Sequence, residues 1–403
     1  MRDVNVGVIG LGNRGYGMLK SGVLEIPGVR VLWVCDLYED RVEAGKQAVI
    51  DAGQDVPSCT LDYHDVLADE KVEAIFIFSA WESHVPIAVD AMKAGKKTAM
   101  EVGGAYSVDD CWRLVRTWEE TKTPFMFLEN CCYGERETMV LNMVRKGLLG
   151  EIVHCKGGYR HDLRDEIAFG KENRHYRLRN YLNRNGENYP THELGPIAKV
   201  LDINRGNRMV SLVSVSSKAA GLKEFIKAKK ADDEELMNAT FAQGDIVTTI
   251  ITCAHGETIL LTLDTTLPRS YSRDFSVQGT KGMYSEESDS VYVDGVTPHE
   301  WSHSATWGNA NKFEEYNTTV WKDFKENGIK GGHGGIDWLE LNAFIDCVRS
   351  DAPMPIDVYD AAAWMCITPL SEDSIATGMP VAIPDFTSGA WTSREPLDVL
   401  RGE

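Results

Sequence analysis

The chain has 403 residues, of which 43% are hydrophobic and 26% are charged, a composition typical of a globular protein large enough for two domains. Its 42 Lys and Arg residues and 61 Asp and Glu residues give a formal net charge of 42 − 61 = −19. A polyanion repels phosphate backbones and anionic lipid, so nucleic acid and membrane surfaces are excluded as partners.

The amino terminus, MRDVNVGVIGLG, enters a strand directly and shows no charged and then apolar leader. No apolar run approaches the ~20 residues that a membrane-spanning helix needs. The nine cysteines are scattered and form no CxxC pair, which favours reduced thiols. We therefore expect a cytoplasmic protein.

The first strand, VNVGVIG (4–10), runs into GLGNRG (10–15), which fits the pattern G-x-G-x-x-G. Gly10, Gly12 and Gly15 permit the tight turn, the close approach of a pyrophosphate, and helix–strand packing. A second strand, VRVLWVCD, ends in Asp36, which lies 36 − 15 = 21 residues beyond Gly15. A carboxylate there accepts the adenosine ribose hydroxyls and repels a 2′-phosphate, so NAD is favoured over NADP. The alternative is an ordinary glycine turn before a helix.

Apolar strands and amphipathic helices continue to alternate as far as residue 130, which predicts a doubly wound parallel sheet, the Rossmann arrangement. Ligands bind such sheets at the carboxyl ends of the strands. One polar residue there, Glu101, has no lysine, histidine or second acid in its own turn. The predicted cofactor-binding residues are Gly10, Gly12, Asn13, Arg14, Gly15, Asp36, Ser79, Trp81, His84, Glu101, Glu129 and Asn130.

After residue 130 the pattern changes to mostly strands, several of which alternate polar and apolar residues. The strands are predicted over 150–163, 209–219, 245–256, 258–268 and 275–288, and helices over 137–150, 335–350 and 359–378. The fold class is thus α/β for an NAD-binding domain over 1–130, followed by an α+β domain over 131–403 with a large, mainly antiparallel sheet. The charged segment 223–236 is interpreted as a surface helix.

Phenols, guanidiniums and imidazoles gather in three segments of the second part, GGYRHDLR (157–164), RHYRLRNYLNRNGENYPTHELGP (174–196) and TTLPRSYSR (265–273). Such groups suit a polyhydroxylated ligand, whose hydroxyls need donors and acceptors and whose C–H faces stack on aromatic rings. His192 is the best general base by residue type, although it would also serve as a helix cap. The candidate substrate residues are Tyr159, His161, Asp162, Arg177, Tyr189, His192, Tyr271 and, in the glycine turn GGHGG, His333. No element shows metal-ligand spacing, so no metal is predicted.

The order of these motifs resembles the Gfo/Idh/MocA oxidoreductases, with G-x-G-x-x-G, a GKK…ME strand and then an antiparallel sheet domain. Members of that family usually follow this glutamate with Lys-Pro, and the lysine assists proton transfer beside the nicotinamide. Here Glu101 is followed by Val102 and Gly103, so that lysine is absent.

A closer resemblance is to glycoside hydrolase family 109, the NAD-dependent branch typified by α-N-acetylgalactosaminidase. It is carried by GLGNRG, EVGGAYSVDDCWRLV, FLENCCYGERETMVLNMVRKGLLGEIVHCKGGYRHDLR, NYPTHELGPIAKVLDINRGNR, DTTLPRSYSRDFSVQGTKG and HGGIDW. The family commonly has Pro-Ala at Gly103-Gly104, and glycine at Glu193.

This resemblance implies a glycosidase that uses NAD without net oxidation, acting on N-acetylgalactosaminides or related glycosides. The reaction would oxidise C3 of the sugar, remove the C2 proton, eliminate the leaving group at C1, add water and restore the C3 hydrogen. Tyr159 would take the C2 proton, with its pKa lowered by Arg160 or Arg164, and His192 would handle the C3 hydroxyl proton. Glu101 would hold the nicotinamide ribose or amide, or orient His192.

Two alternatives remain open. One is an NAD-dependent sugar or cyclitol oxidoreductase that makes or uses 3-keto-sugars, and the other is a non-catalytic protein that binds NAD and sugar. Sheets in the resembled family commonly associate face to face, so a homo-oligomer, either a dimer or a tetramer, is expected.

Overall fold

A computed structural model describes residues 2–298 and 305–400. The chain divides into two compact units. The first unit runs up to Gly134 and also takes in Thr319–Ala362 and a short stretch from Leu397; the second consists of Glu135–Thr318 and Ala363–Pro396. Within the described ranges, no helix combines the length and the apolarity required to cross a bilayer.

The strands are β1 Val4–Ile9, β2 Val29–Cys35, β3 Ser58–Thr60, β4 Ala74–Ile77, β5 Lys97–Glu101, β6 Phe125–Leu128, β7 Ile152–Arg160, β8 Met209–Ser216, β9 Ile246–Cys253, β10 Thr258–Asp264, β11 Ser276–Gly279, β12 Gly282–Ser285, β13 Ser290–Val293 and β14 Val381–Ala382.

The α-helices are α1 Asn13–Ser21, α2 Glu39–Asp51, α3 Tyr63–Ala68, α4 Trp81–Lys93, α5 Val108–Thr121, α6 Glu135–Arg145, α7 Arg164–Ala168, α8 Arg177–Asn183, α9 Thr191–Val200, α10 Gly221–Lys229, α11 Glu234–Asn238, α12 Thr319–Asn327, α13 Ile336–Ser350, α14 Val358–Met365 and α15 Ile367–Thr377. Short 3₁₀ helices include Asn130–Tyr133 and His333–Gly335.

The first unit is built on a six-stranded parallel sheet in the order β3-β2-β1-β4-β5-β6. Strands β4 and β6 are buried at every residue, as expected for a sheet covered on both faces. The chain reverses its direction of winding between β1 and β4, and the crevice at this switch point is where such sheets bind ligands. The predicted doubly wound fold is confirmed.

The second unit is built on an eight-stranded sheet in the order β13-β12-β11-β7-β10-β9-β8-β14. All its neighbours pair antiparallel except β7 and β10, which run parallel. The mainly antiparallel sheet is therefore confirmed. Helix α9 packs against β7 on one face of this sheet.

Three segments differ from the sequence-based elements. The strand predicted over 275–288 is the hairpin β11–β12, broken at the polar turn between Gly279 and Gly282. The segment 174–196, to which the sequence-based prediction assigned no element, contains α8. His192, expected just before a helix, lies in the first turn of α9, because that helix begins directly after Pro190.

Candidate active site

The three glycines of the turn after β1 differ in how much room a side chain would have. Gly10 has φ +94°, and a Cβ there would lie 2.5 Å from the backbone nitrogen of Ser79. A Cβ at Gly15 would lie 2.0 Å from the carbonyl oxygen of Gly10. Gly12 is different, because the nearest atom to a Cβ there would be the end of the Arg41 side chain, 3.5 Å away. The turn is therefore packed on its inner side and open at Gly12.

The amino terminus of α1 fits a dinucleotide pyrophosphate. Its N-cap is Gly12, which has no side chain to satisfy the first amides, and its first turn contains no acidic residue. The uncapped N–H groups and the positive end of the helix dipole favour an anion. The amides of Asn13 and Arg14 belong to this first turn, as predicted from the motif.

Asp36 joins the glycine turn to the end of β2. Its Oδ2 accepts a hydrogen bond from the Leu11 amide at 2.6 Å, and its Oδ1 accepts one from the Tyr38 amide at 3.1 Å. Each carboxylate oxygen has a second lone pair, so the ribose hydroxyls can still be accepted. The residues of this turn thus fit the NAD adenosine and pyrophosphate.

The turn after β4 is held by His84. Its Nε2 lies 2.9 Å from the carbonyl oxygen of Ser79, so Nε2 carries the proton and donates. Burial lowers the pKa of His84 to about 4, and the ring is therefore neutral. Trp81, at the start of α4, packs against Gly103: a Cβ at Gly103 would lie 2.4 Å from Cδ1 of the indole. This contact explains why a larger residue is absent at Gly103.

Glu101, the last residue of β5, is paired with Arg14. Its Oε2 accepts from Arg14 Nε at 2.9 Å, and its Oε1 accepts from the Val102 amide at 2.9 Å. Burial works against the charge of Arg14, but the carboxylates of Glu101 and Asp337 together hold its pKa well above the ordinary value. The cation that the turn of Glu101 lacks is thus supplied by α1.

Sequence reasoning missed Asp337, in the first turn of α13. Its carboxylate accepts from Arg14 Nη1 at 2.8 Å and Nη2 at 3.0 Å, from Asn130 Nδ2 at 2.7 Å, and from His333 Nδ1 at 2.8 Å. Burial would raise the pKa of Asp337, but His333 and Arg14 lower it well below its usual value. The only signal was an acid four residues after His333 in the HGGIDW segment; its other partners, Arg14 and Asn130, are too distant in sequence to be inferred.

Two more buried acids lie near this group in the first unit. Glu129 Oε1 accepts from the Cys131 amide at 3.1 Å and caps the 3₁₀ helix Asn130–Tyr133. Glu340 is fully buried, and neither of its carboxylate oxygens has a hydrogen-bond partner among the described residues. Burial, followed by the charges of Glu101 and Asp337, raises the pKa of Glu340 well above its ordinary value, so this carboxyl keeps its proton to higher pH than an exposed glutamate does.

The second unit brings together four of the predicted substrate residues, which we call the aromatic cluster: Tyr159, Tyr189, His192 and Tyr271. The Tyr159 ring centroid lies 4.5 Å from that of Tyr189, 5.5 Å from that of His192 and 6.5 Å from that of Tyr271. Tyr159 and Tyr189 are buried, whereas Tyr271 is 50% exposed. The cluster therefore has a closed side and an open side.

Polar atoms of the aromatic cluster pair with imidazole nitrogens. Tyr159 Oη lies 3.2 Å from Nδ1 of His161, and Tyr189 Oη lies 3.4 Å from Nε2 of His192. Burial, and then the positive charge of Arg177, lower the pKa of His161. Neutral His161 can accept the phenolic proton of Tyr159.

Arg177, buried at the start of α8, is the guanidinium nearest to these phenols. It lies 4.9 Å from the Tyr189 ring centroid and 5.9 Å from that of Tyr159, and its Nε is 2.7 Å from Glu166 Oε1. Cation–π contacts of this kind stabilise a charge over an aromatic face.

Two arginines expected to act on Tyr159 are engaged in ion pairs instead. Arg160 Nη1 is 2.8 Å from Asp274, and Arg164 Nη2 is 2.7 Å from Asp162. Asp162, predicted to bind substrate, thus has its carboxylate paired within its own turn. The cation near Tyr159 in this unit is Arg177.

Glu193, which stands where the resembled family has glycine, is buried at the face of β7. A Cβ at Gly157 would lie 2.6 Å from Cβ of Glu193. Gly157 and Tyr159 project to the same side of β7, since they are two residues apart. The absence of a side chain at Gly157 therefore makes room for Glu193 beneath the aromatic cluster.

A parallel sheet with an open glycine turn, followed by a mainly antiparallel sheet that bears the aromatic cluster, defines a Gfo/Idh/MocA-type protein. A family model described as "Oxidoreductase family, NAD-binding Rossmann fold" matches residues 4–128. The model "Glycosyl hydrolase 109, C-terminal domain" matches residues 133–393. The chain belongs to glycosyl hydrolase family 109.

Relatives match over the whole length. The chain is 37% identical to a glycosyl hydrolase family 109 protein of Stenotrophomonas maltophilia, covering 100% of this chain and 93% of the relative. It is 38% identical to an alpha-N-acetylgalactosaminidase of Tannerella forsythia, covering 98% and 88%. The predicted family, the NAD cofactor and the enzymatic nature of the chain are confirmed.

Solved structures share the fold at low identity. A levoglucosan dehydrogenase in complex with NADH and levoglucosan has a TM-score of 0.68 and 17% identity, covering 95% of this chain and 100% of that chain. A myo-inositol 2-dehydrogenase from Lactobacillus plantarum has a TM-score of 0.66 and 16% identity, with 95% and 100% coverage. These likenesses concern the fold.

Proposed function

We propose that the chain is a redox-neutral, NAD-dependent glycosidase acting on N-acetylgalactosaminides or closely related glycosides. The observation that carries this proposal is the aromatic cluster with Arg177, which combines stacking surfaces with groups that move protons. The alpha-N-acetylgalactosaminidase of Tannerella forsythia, 38% identical, supports the choice of sugar.

When bound, NAD would accept a hydride from C3 of the sugar and later return it. His192, on α9, would take the C3 hydroxyl proton. Its ring centroid lies 5.5 Å from that of Tyr159, so both rings can face one sugar. A ketone at C3 acidifies the C2 proton, which the Tyr159 oxygen would remove, with His161 at 3.2 Å accepting the phenolic proton. Departure of the C1 leaving group, addition of water and reversal of these steps would complete hydrolysis.

The nearby Arg177 would favour the phenolate form of Tyr159, because an opposite charge stabilises the ionised oxygen. Tyr189 and Tyr271 would stack on the sugar and hydrogen-bond to its hydroxyls. Glu101, fixed by Arg14, would hold the nicotinamide ribose or amide. The reaction requires that NAD and the sugar be bound at the same time.

The test is turnover of nitrophenyl glycosides by the full-length chain, followed at the same time for nitrophenol and for NADH. We expect nitrophenol release from the N-acetylgalactosaminide without accumulation of NADH, and solvent deuterium at C2 of the product. NADH formed in proportion to substrate would instead indicate a sugar oxidoreductase. If neither signal appears with any glycoside, the chain binds these ligands without catalysis.

We also propose that the enzyme is a homo-oligomer that associates through the open face of its second sheet. Opposite the face that carries α9, Ile250 lies between Val213 and Leu260 on adjacent strands, and Val215 is 69% exposed. This face combines exposed aliphatic side chains with Lys156, which lies beside Leu260 on β7. Exposed apolar side chains grouped on a strongly acidic protein are typical of an interface. Light scattering is expected to show a dimer or tetramer, and a monomer for the double variant Val215→Asp, Ile250→Asp. A monomeric wild-type chain would refute the proposal.

A further inference from the structure

Arg14 uses all three nitrogens of its guanidinium to join two carboxylates of the first unit. Its Nε binds Glu101 at 2.9 Å, and its Nη1 and Nη2 bind Asp337 at 2.8 and 3.0 Å. The side chains of Glu101 and Asp337 are only 8% and 5% exposed. Paired, charge-assisted hydrogen bonds of this geometry fix both the position and the plane of the arginine.

Asp337 is itself held in place by several elements. It accepts a hydrogen bond from Asn130, at the end of β6, and another from His333. Helix α13, which carries it, packs on the parallel sheet through Phe344, whose ring meets Phe76 of β4 edge to face at 5.2 Å. The carboxylate thus has little freedom to rotate.

From these contacts we propose that Asp337 is a positioning residue of the cofactor site, which orients Glu101 through Arg14. Glu101 ends β5, at the sheet edge where the nicotinamide half of a dinucleotide binds. A guanidinium does not lose its proton in proteins, so the cation beside Glu101 is a fixed charge and transfers no proton. Arg14 therefore orients Glu101 and is not itself an acid or a base.

This inference concerns NAD binding and does not depend on the proposed reaction. The experiment is calorimetric titration of the cofactor-free, full-length chain with NAD⁺ and with ADP-ribose, which lacks the nicotinamide. In Asp337→Asn we expect the affinity for NAD⁺ to fall by about tenfold to a hundredfold, as for loss of a charged hydrogen bond. The affinity for ADP-ribose should change by less than about threefold, because the glycine turn and Asp36 remain.

The matched control is Asp346→Asn on the same helix, since Asp346 is exposed and, among the described residues, its carboxylate bonds only to its helical neighbours Asn342 and Arg349. Both affinities should stay at the wild-type values. The double variant Asp337→Asn, Glu101→Gln should bind NAD⁺ within about twofold of Glu101→Gln alone, because both changes act on one network.

Equal losses for NAD⁺ and ADP-ribose, or additive losses in the double variant, would overturn the proposal, since Asp337 would then support the turn rather than Glu101. Should Asp337→Asn fail to fold, Arg14→Lys provides the same comparison. Lysine keeps the charge but lacks the planar fork, so it should weaken NAD⁺ selectively. An unchanged ratio of the two affinities in that variant would refute the role of Arg14.

Discussion

The functional residues of the two units differ in chemical type and in how they are held. In the first unit, Glu101, Asp337 and Asp36 are ionisable groups whose oxygens are already held by backbone amides or by Arg14. In the second unit, the aromatic cluster is held by ring contacts. Two of its phenol oxygens lie close to imidazole nitrogens: that of Tyr159 is 3.2 Å from His161, and that of Tyr189 is 3.4 Å from His192. Fixed charges suit the binding of a cofactor that is regenerated, whereas exchangeable protons suit the steps of a reaction. The following experiments test this contrast.

Replacement of His192 by alanine should have the largest effect on turnover. General acid–base assistance contributes about 10² to 10⁴-fold, so nitrophenol release should fall by that factor. The control is His154→Ala, which lies on β7 next to Thr258 and should retain activity. Substantial turnover in His192→Ala would show that His192 does not carry out the proposed proton transfer.

Tyr159→Phe preserves the ring but removes the phenol oxygen. We expect turnover to fall by about 10²-fold or more and deuterium incorporation at C2 to disappear, because the proposed base is lost. Tyr292→Phe, on the second sheet, serves as the control. Deuterium exchange at the wild-type rate in Tyr159→Phe would assign the C2 proton to another group.

Protonation of His84 should make the stability of the first unit depend on pH. Its pKa is about 4 in the folded chain and about 6.5 when unfolded, so below 6.5 the unfolded state binds more protons. Stability should therefore fall as the pH decreases from 6.5 to 4, with a contribution of about 3 kcal/mol. Urea unfolding of wild type and His84→Gln over this range measures it. If the free energy of unfolding changes equally with pH in wild type and in His84→Gln, His84 is not the source of the pH dependence.

Substitution of Gly103 by alanine should disturb Trp81, because the new Cβ would lie 2.4 Å from the indole. Overpacking of this kind costs about 2 kcal/mol, and we expect a comparable loss of NAD⁺ binding free energy by calorimetry. Gly17→Ala is the control, as a Cβ there meets nothing within 4 Å. Unchanged binding in Gly103→Ala would show that the turn adapts.

Glu340→Gln should stabilise the protein, and the gain should grow with pH. The folded chain keeps this buried carboxyl protonated while the unfolded chain ionises it, so wild-type stability falls as the pH rises above about 4.5. The slope is about 1.4 kcal/mol per pH unit for one proton, up to the folded pKa. Denaturant midpoints at pH 5, 6, 7 and 8 measure the difference. A gain that is constant with pH would mean that Glu340 is ionised when folded.

The sequence predicted those features that are encoded locally. The parallel sheet and the turn containing Gly10, Gly12 and Gly15 follow from apolar runs and glycine spacing. The grouping of Tyr159, Tyr189, His192 and Tyr271 was predicted from residue types in three segments and was supported by the family resemblance. The structure places these four residues together.

Long-range pairings could not be predicted in this way. Arg14 and Asp337 are 323 residues apart, and no periodicity connects them. Arg160 and Arg164 were assigned to Tyr159 by proximity in sequence, but each has a carboxylate partner, while Arg177 reaches the phenols from α8. Ion-pair partners depend on tertiary packing, which cannot be deduced from the spacing of residues in the sequence.

The parallel pairing of β7 with β10 has a consequence for protein engineering. Because the two strands end at the same edge of the sheet, the loop that follows β10 and carries Tyr271 emerges beside the turn after Tyr159. The loop is anchored at both ends, because the Leu163 amide donates to the Thr265 carbonyl oxygen and the Arg160 and Ser272 backbones bond to each other. Under the proposed function, we expect exchanges confined to the segment between these anchors to change glycoside preference.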